Sequence, residues 1–166
     1  MEEDKEKIEE KKRPLSQPEL DLVIKMHEDY ISGRKGGLRA HLANHNLEGR
    51  DFSNKNLSDA DFTGAYLCEA NFSGTKLDRA IFYCSDLRKA NLQGSSLKSA
   101  DLRGASLRGA NLVGANMVGI DLREGSLSSA DSKGELKEVH DELTIADKGG
   151  ANLSGSRLNN AKMSGA

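Results

Sequence analysis

Residues 100–119 read ADLRGASLRGANLVGANMVG, which is four copies of one five-residue unit: Ala, then Asp, Asn or Ser, a large apolar residue, a variable residue and Gly. The large apolar position recurs every five residues between residues 42 and 127, without a gap. Neither an α-helix, with 3.6 residues per turn, nor a flat strand, with a period of two, keeps a period of five on one face. The repeat therefore predicts a solenoid, whose function lies on its exposed surface.

Each position of the unit has a structural reason. Residues two apart in an extended segment point to the same side, so Ala110 and Leu112 both face inward while Asn111 faces outward. The fifth residue is then free to turn a corner, and glycine at Gly104 and Gly114 supplies the backbone freedom that a tight corner needs.

The repeated Ala-(Asp/Asn)-(Leu/Phe)-x-Gly unit makes residues 40–131 resemble the bacterial pentapeptide-repeat proteins. This resemblance implies an all-β solenoid, a right-handed quadrilateral parallel β-helix in which four pentapeptides form one coil. Residues twenty apart should then be neighbours on successive coils, with Phe52 stacked on Phe72 and Phe62 on Phe82. Members of the family include DNA-mimicking proteins that bind DNA gyrase, effectors aimed at host cells and proteins of no known role.

The residues before the repeats divide into two parts. Residues 1–15 form a run of mixed charge and are expected to be a disordered tail. Residues 16–39 are expected to be a short N-terminal capping α-helix with a linker, in which Ser16 is the N-cap, Pro18 lies in the first turn and Glu19 completes a capping box. A solenoid exposes backbone groups and apolar side chains at its ends, so a helix here is expected to cover the first coil.

The repeat is interrupted near its C-terminal end. We expect residues 40–134 to form the β-helix, residues 135–145 an insert, and residues 146–166 the terminal pentapeptide repeats. In the insert, Leu136, Val139 and Leu143 follow helical spacing, which favours a short helix or a flap over one face.

No motif of catalysis or metal binding occurs among the four His and two Cys of the chain. His41 and His45, four residues apart, should lie on different sides of a corner. Cys68 and Cys84 are expected to be reduced thiols at the surface or at corners. We therefore expect no enzymatic activity, no cofactor and no metal.

Two features predict where the protein resides. No apolar run is long enough to span a bilayer, and the charged start Met1-Glu2-Glu3-Asp4-Lys5 lacks the form of a secretion signal. The sequence therefore predicts a cytoplasmic protein without a membrane segment.

Charge indicates which partner the solenoid would bind. The repeats from residue 40 to residue 131 carry ten Lys and Arg against eleven Asp and Glu, and so lack the negative excess that a DNA mimic needs. We expect a scaffold or protein-interaction module with an unidentified protein partner, and we do not expect nucleic-acid binding. The alternative, implied by the resemblance alone, is a DNA mimic that binds gyrase. The expected partner surface consists of Arg88, Arg103, Arg108, Val113, Val118 and Arg123.

The C-terminal end carries inward-facing residues without an obvious cap. Leu153, Leu158 and Met163 belong to the last repeats. An open coil edge there would either be covered by residues 135–145 folding back or pair with the same end of a second molecule. Pentapeptide-repeat proteins often dimerise through that end, so the resemblance implies a homodimer here.

Overall fold

The computed structural model describes residues 14–125, 128–130, 136–138, 151 and 153–165. Its helix, α1, spans Gln17–Ile31, and two short strands, β1 (Ser128–Ala130) and β2 (Leu136–Glu138), pair antiparallel. The rest of the described chain is built from short extended segments joined by tight turns. The disorder expected for residues 1–13 lies outside the described residues.

Parallel pairing of residues twenty apart builds the coils, as the five-residue period predicts. Each pairing residue directly precedes an inward Leu, Phe or Met, and the pairs form four columns that define four faces. The first face carries His41, Asp61, Ile81, Asp101 and Asp121, and the second Asn46, Tyr66, Asp86 and Ser106. The third face carries Asp51, Asn71, Asn91, Asn111 and Arg157, and the fourth Asn56, Lys76, Ser96, Asn116 and Lys162.

The core is a narrow stack of the predicted inward residues. Phe52 lies on Phe72 with ring centroids 4.5 Å apart and planes 6° apart, and Phe62 lies on Phe82 at 4.9 Å and 2°. Both predicted stacks are therefore confirmed. The two stacks meet edge to face, at 5.7 Å between Phe52 and Phe62, an arrangement that aromatic rings favour.

The corners lie at the fifth position of each unit, where the backbone enters the left-handed region. Gly104 has φ of 66°, and a Cβ there would lie 2.9 Å from Cys84 Sγ and 2.9 Å from the Gly125 main chain. Larger residues such as Arg79, with φ of 59°, adopt the same conformation. Regular pairing of the coils thus imposes this conformation even where the side chain disfavours it.

Helix α1 begins as the sequence predicts. Ser16 accepts a hydrogen bond from the Glu19 amide, and the Glu19 carboxylate accepts one from the Ser16 amide at 2.8 Å, so the capping box is confirmed. Leu20 and Ile24 are buried against the first coil and belong to the main core. Leu15, predicted to lie in the tail, is half-buried and donates from its amide to the Asn46 carbonyl at 3.3 Å.

A buried histidine joins α1 to the first coil. The Ala40 amide donates to Nδ1 of His27 at 3.0 Å, so Nδ1 is unprotonated and Nε2 carries the proton that is donated to the Ser58 carbonyl at 2.9 Å. Burial lowers the pKa of His27 below its usual value. The neutral imidazole therefore links the chain at Ala40 to the chain at Ser58 within the buried contact between α1 and the first coil.

The pairing register changes before the last coil, and it differs from the predicted one. Asn111 pairs with Arg157 and Asn116 with Lys162, each 46 residues later instead of twenty. Ala151 donates to the Leu122 carbonyl at 2.8 Å, the bond that the residue after Glu124 would make in a regular coil. The coil register therefore stops near Gly125 and resumes at Ala151. We call the part of the chain between these two residues the excursion, and it is longer than the predicted insert of residues 135–145.

The β1–β2 hairpin corrects two further predictions. Ala130 pairs antiparallel with Leu136 in the hairpin, which is not the parallel pairing expected for the start of a coil repeat, and residues 131–134 lie outside the described residues. Leu136 lies in a strand, which contradicts the helical interpretation of its spacing. Val139 and Leu143 lie outside the described residues. Helical spacing of a few apolar residues does not outweigh strand pairing in so short a segment.

Candidate protein-interaction surface

The charged faces contain a recurring Asp-Leu-Arg triplet, in which the arginine binds the aspartate two residues before it. In the second face, the Arg88 guanidinium donates from Nε and Nη2 to the two carboxylate oxygens of Asp86, both at 2.8 Å. The Arg88 amide also donates to Asp86 at 3.1 Å. The Asp86 side chain is buried, and among the described residues its ion-pair partner is Arg88. The hydrogen bonds to Asp86 raise the pKa of Arg88 above its usual value.

The same unit occurs twice in the first face. Arg103 holds Asp101 at 2.9 and 2.7 Å, and Arg123 holds Asp121 with a shortest distance of 2.7 Å. Arg103 Nε also lies 3.7 Å from Asp121, so carboxylates and guanidiniums alternate along the face. The hydrogen bond from Arg123 lowers the pKa of Asp121 to about 2. Like charges on successive coils repel each other, and the carboxylates of Asp101 and Asp121 offset this repulsion between Arg103 and Arg123.

Arg108 departs from this pattern. The residue two before it is Ser106, whose Oγ is buried and has no hydrogen-bond partner within the described part of the chain. Arg108 is exposed, and among the described residues it forms no ion pair. Its guanidinium is therefore available to an outside carboxylate, whereas those of Arg88, Arg103 and Arg123 already bind one.

The structure distributes the predicted partner surface over all four faces. Arg88 and Arg108 lie on the second face and Arg103 and Arg123 on the first, whereas Val113 follows the third-face column and Val118 the fourth. Val118 is exposed and Val113 half-buried. The six residues therefore share the C-terminal coils but do not form one patch, because adjacent pentapeptides always turn onto different faces.

One aromatic contact on the first face escaped the sequence analysis. The Arg103 guanidinium lies 5.0 Å from the centre of the Tyr83 ring, within cation–π range. The two residues are twenty apart, so the coil period itself is the signal that would have found the pair.

The C-terminal end exposes part of its inward columns. Leu158 is 37 % and Met163 36 % exposed, although Leu112 and Met117 in the same columns one coil earlier are buried. Leu153 is half-buried against the core. Ile120 and Leu122 line an open concavity beside Met163. Within the described residues, this end thus presents apolar side chains to its surroundings.

The two thiols are more deeply placed than the sequence suggests. Cys68 and Cys84 are unpaired, as expected, but both are buried, and burial raises the pKa of both thiols. Only Cys84 occupies a corner, with φ of 52°. In the described part of the chain no group of three His, Cys, Asp or Glu side chains is placed to hold a metal ion. No described helix is both long enough and apolar enough to cross a membrane.

Comparison with known proteins agrees with this architecture. A family model described as pentapeptide repeats matches in eight copies, over residues 46–82, 56–94 and 85–123. No curated protein matches the chain.

Solved structures with the same repeat are similar to this chain. The pentapeptide repeat protein alr5209 of Nostoc PCC 7120 is 30% identical, with a TM-score of 0.53, over 66% of this chain and 83% of that one. A pentapeptide repeat protein of the Arabidopsis thaliana thylakoid lumen is 36% identical over 49% of this chain and 68% of that one, with a TM-score of 0.37. HetL of Nostoc, described as involved in heterocyst differentiation regulation, is 27% identical over 75% and 52%, with a TM-score of 0.37. The chain belongs to the pentapeptide-repeat family, with the right-handed quadrilateral β-helix of that family as its scaffold.

Proposed function

We propose that this protein is a non-enzymatic scaffold that binds an acidic surface of a partner protein through its second face. Arg108 carries the proposal, because it is the arginine of the predicted surface whose charge no described carboxylate neutralises. Its neighbour Arg88 lies one coil away in the same column and is fixed by Asp86. Arg88 therefore supplies a positive charge at a fixed position, and Arg108 supplies N–H groups that can donate hydrogen bonds to a carboxylate of the partner.

The test is capture of a partner from native lysate by the purified protein, with three variants. Arg108→Glu should abolish capture of the bound protein. Ser106→Asp should weaken it without altering Arg108, since it rebuilds the Asp-Leu-Arg unit and occupies the guanidinium. Lys76→Glu, which reverses an exposed charge on the fourth face, is the matched control. Equal capture by all four proteins would contradict the proposal.

A gyrase-directed DNA mimic is the alternative that family resemblance implies. Such a protein needs carboxylates free to imitate phosphates. Asp86, Asp101 and Asp121 are instead each held by an arginine of the same repeat unit, which disfavours that activity. A supercoiling assay with purified gyrase separates the two functions, because only the DNA mimic inhibits the enzyme or protects it.

Each end of the solenoid has a proposed role as well. The burial of Leu20 and Ile24 against the first coil supports a capping role for α1. The exposure of Leu158 and Met163 supports pairing of the C-terminal end with a second copy. The cytoplasmic location stays a prediction.

A further inference from the structure

The outer side of α1 carries an apolar stripe that the first coil leaves uncovered. Leu22, Met26 and Tyr30 are four residues apart and therefore follow one another along one side of the helix. Leu22 is 60 % and Tyr30 44 % exposed, and Met26 is half-buried. Leu20, Ile24 and His27 are the residues of α1 that are buried on the coil, and the Tyr30 ring, at the edge of the stripe, stacks on the His27 imidazole with ring centroids 5.8 Å apart.

The chain after α1 extends this stripe. The Leu38 amide donates to the Met26 carbonyl at 3.0 Å, which places Leu38, 59 % exposed, beside the centre of the stripe. Gly37 makes this return possible, because a Cβ at that position would collide with the Tyr30 main-chain nitrogen. The segment thus packs directly on the helix backbone, and three large apolar side chains are exposed together. Single exposed apolar residues are ordinary, but a contiguous group marks a contact surface.

Charges beside the stripe indicate which partner fits it. Lys25 and Asp29 are also four residues apart, on one flank of the stripe, so they lie on either side of Met26 along the helix. Asp29 Oδ1 binds Arg34 at 2.9 Å, whereas Lys25 is exposed and forms no ion pair with any described residue. A second copy packed antiparallel, with a two-fold axis beside Met26, would place Lys25 next to the partner's Asp29 and Leu22 next to the partner's Tyr30. The surface is therefore complementary to itself in both charge and apolar shape.

We propose that Leu22, Met26, Tyr30 and Leu38 form a two-fold interface, in which α1 packs antiparallel on α1 of a second copy of this chain. The interface lies at the opposite end of the solenoid from Leu158 and Met163, and it does not depend on the partner surface around Arg108. If the two ends both self-associate, the wild-type chain forms linear oligomers, because two different two-fold contacts alternate along them.

Sedimentation velocity over a dilution series tests the proposal with full-length variants. Leu158→Lys removes the contact proposed for the C-terminal end, so this variant should be a dimer held through α1. Addition of Leu22→Lys should give a monomer whose far-UV circular dichroism spectrum is that of the folded chain, since Leu22 is exposed in a single copy. A monomeric Leu158→Lys variant at every concentration would overturn the α1 interface, whereas a monomeric Leu22→Lys single variant would overturn the C-terminal one.

Charge exchange and cross-linking test the antiparallel geometry in the Leu158→Lys background. Lys25→Glu should weaken the dimer, and Lys25→Glu combined with Asp29→Lys should restore it, because the exchanged charges face each other again. Met26→Cys, treated with a thiol oxidant that accepts the two electrons, should form an intermolecular disulfide near the two-fold axis. Asp21→Cys, exposed on another side of α1, is the control that should not. Equal cross-linking of the two cysteine variants, or no rescue by the double charge exchange, would overturn the antiparallel arrangement.

Discussion

The Arg88 guanidinium donates hydrogen bonds to both oxygens of the buried Asp86 carboxylate, two residues earlier in the same repeat unit. Arg108, at the same position of the next coil, has no such partner among the described residues. Removal of the two arginines should therefore have different effects. Arg88→Ala leaves a buried carboxylate with fewer hydrogen bonds and should lower the free energy of unfolding by ~1–3 kcal/mol. Arg108→Ala should change it by less than about 0.5 kcal/mol. Urea unfolding of the two variants measures both values, and equal losses would show that Asp86 does not need Arg88.

The inner columns should be the most sensitive part of the protein to truncation. Leu92 is fully buried in its column, one coil from Phe72 on one side and one coil from Leu112 on the other, so Leu92→Ala should cost roughly 2–5 kcal/mol of unfolding free energy. Val113, half-buried on the same face, is the control, and Val113→Ala should cost far less. A small loss at Leu92, measured by denaturant unfolding, would mean that the coils close over the cavity.

Acid should loosen the contact between α1 and the first coil. Burial lowers the pKa of His27, so this residue stabilises the fold above the ordinary histidine pKa of about 6.5, and the stabilisation is lost as the pH falls through the lowered value. The nearby charges of Glu28 and Asp59 raise the pKa and that of Arg39 lowers it, but burial is the largest effect. Protonated Nδ1 could no longer accept the Ala40 amide hydrogen bond.

Thermal unfolding between pH 8 and pH 5 measures this effect. The melting temperature of the wild type should fall across this range by more than that of His27→Gln, which has no imidazole to protonate at this position. His45→Gln is the control, because Nδ1 of His45 faces the carbonyl of Ala43, two residues away in the chain, and does not join α1 to the first coil. Parallel pH profiles for the wild type and His27→Gln would contradict the role of His27.

Alanine substitutions at two corner glycines distinguish the cost of backbone strain from the cost of a steric clash. Gly104 and Gly114 have φ of 66° and 70°, so alanine at either position carries a similar strain of ~1–2 kcal/mol. A Cβ at Gly114 has open space, whereas one at Gly104 meets Cys84 Sγ and the Gly125 main chain at 2.9 Å. Gly104→Ala should therefore lower the melting temperature more than Gly114→Ala. An equal decrease would mean that the chain at Gly125 moves away without cost.

Loss of the N-terminal helix should expose the first coil. Deletion of residues 1–39 removes Leu20 and Ile24 and uncovers Leu42 and Leu47, which are buried in the intact chain. The truncated protein should melt at a lower temperature and aggregate, as measured by light scattering. A truncated protein that does not aggregate and keeps the melting temperature of the intact chain would assign α1 a role other than capping.

The regular part of the fold could be predicted because the five-residue period alone determines which residues face inward and which lie on neighbouring coils. A strict period of five places Phe52 on Phe72, and the capping box places the start of α1, without knowledge of any distant contact. The excursion could not be predicted in this way. Residues 130–134 keep the repeat frame in sequence, yet Ala130 pairs with Leu136 in a hairpin, a contact between strands that a five-residue period does not specify.

The candidate surface was predicted only in part, for a geometric reason. The sequence shows which side chains leave the core, but four successive units turn onto four faces, so Arg108 and Val113 are close in sequence and point in different directions. The pairing of Arg88 with Asp86 depends on rotamers within one unit, which a period does not specify. The repeated Asp-Leu-Arg triplet, with Ser106 as its exception, is the signal that indicates which arginine is free.

The change of register at Asn111 and Arg157 also sets the order in which the solenoid assembles. Earlier coils close by contacts between residues twenty apart, whereas the last one brings together residues 46 apart, at an additional loop-closure cost of about 0.7 kcal/mol. The terminal coil should therefore be the last to form during folding and the first to detach when a force is applied to the C-terminus. A protease cut within the excursion should leave residues 153–165 bound to the earlier coils as a separate fragment, held by backbone hydrogen bonds such as the one from the Lys162 amide to the Ala115 carbonyl.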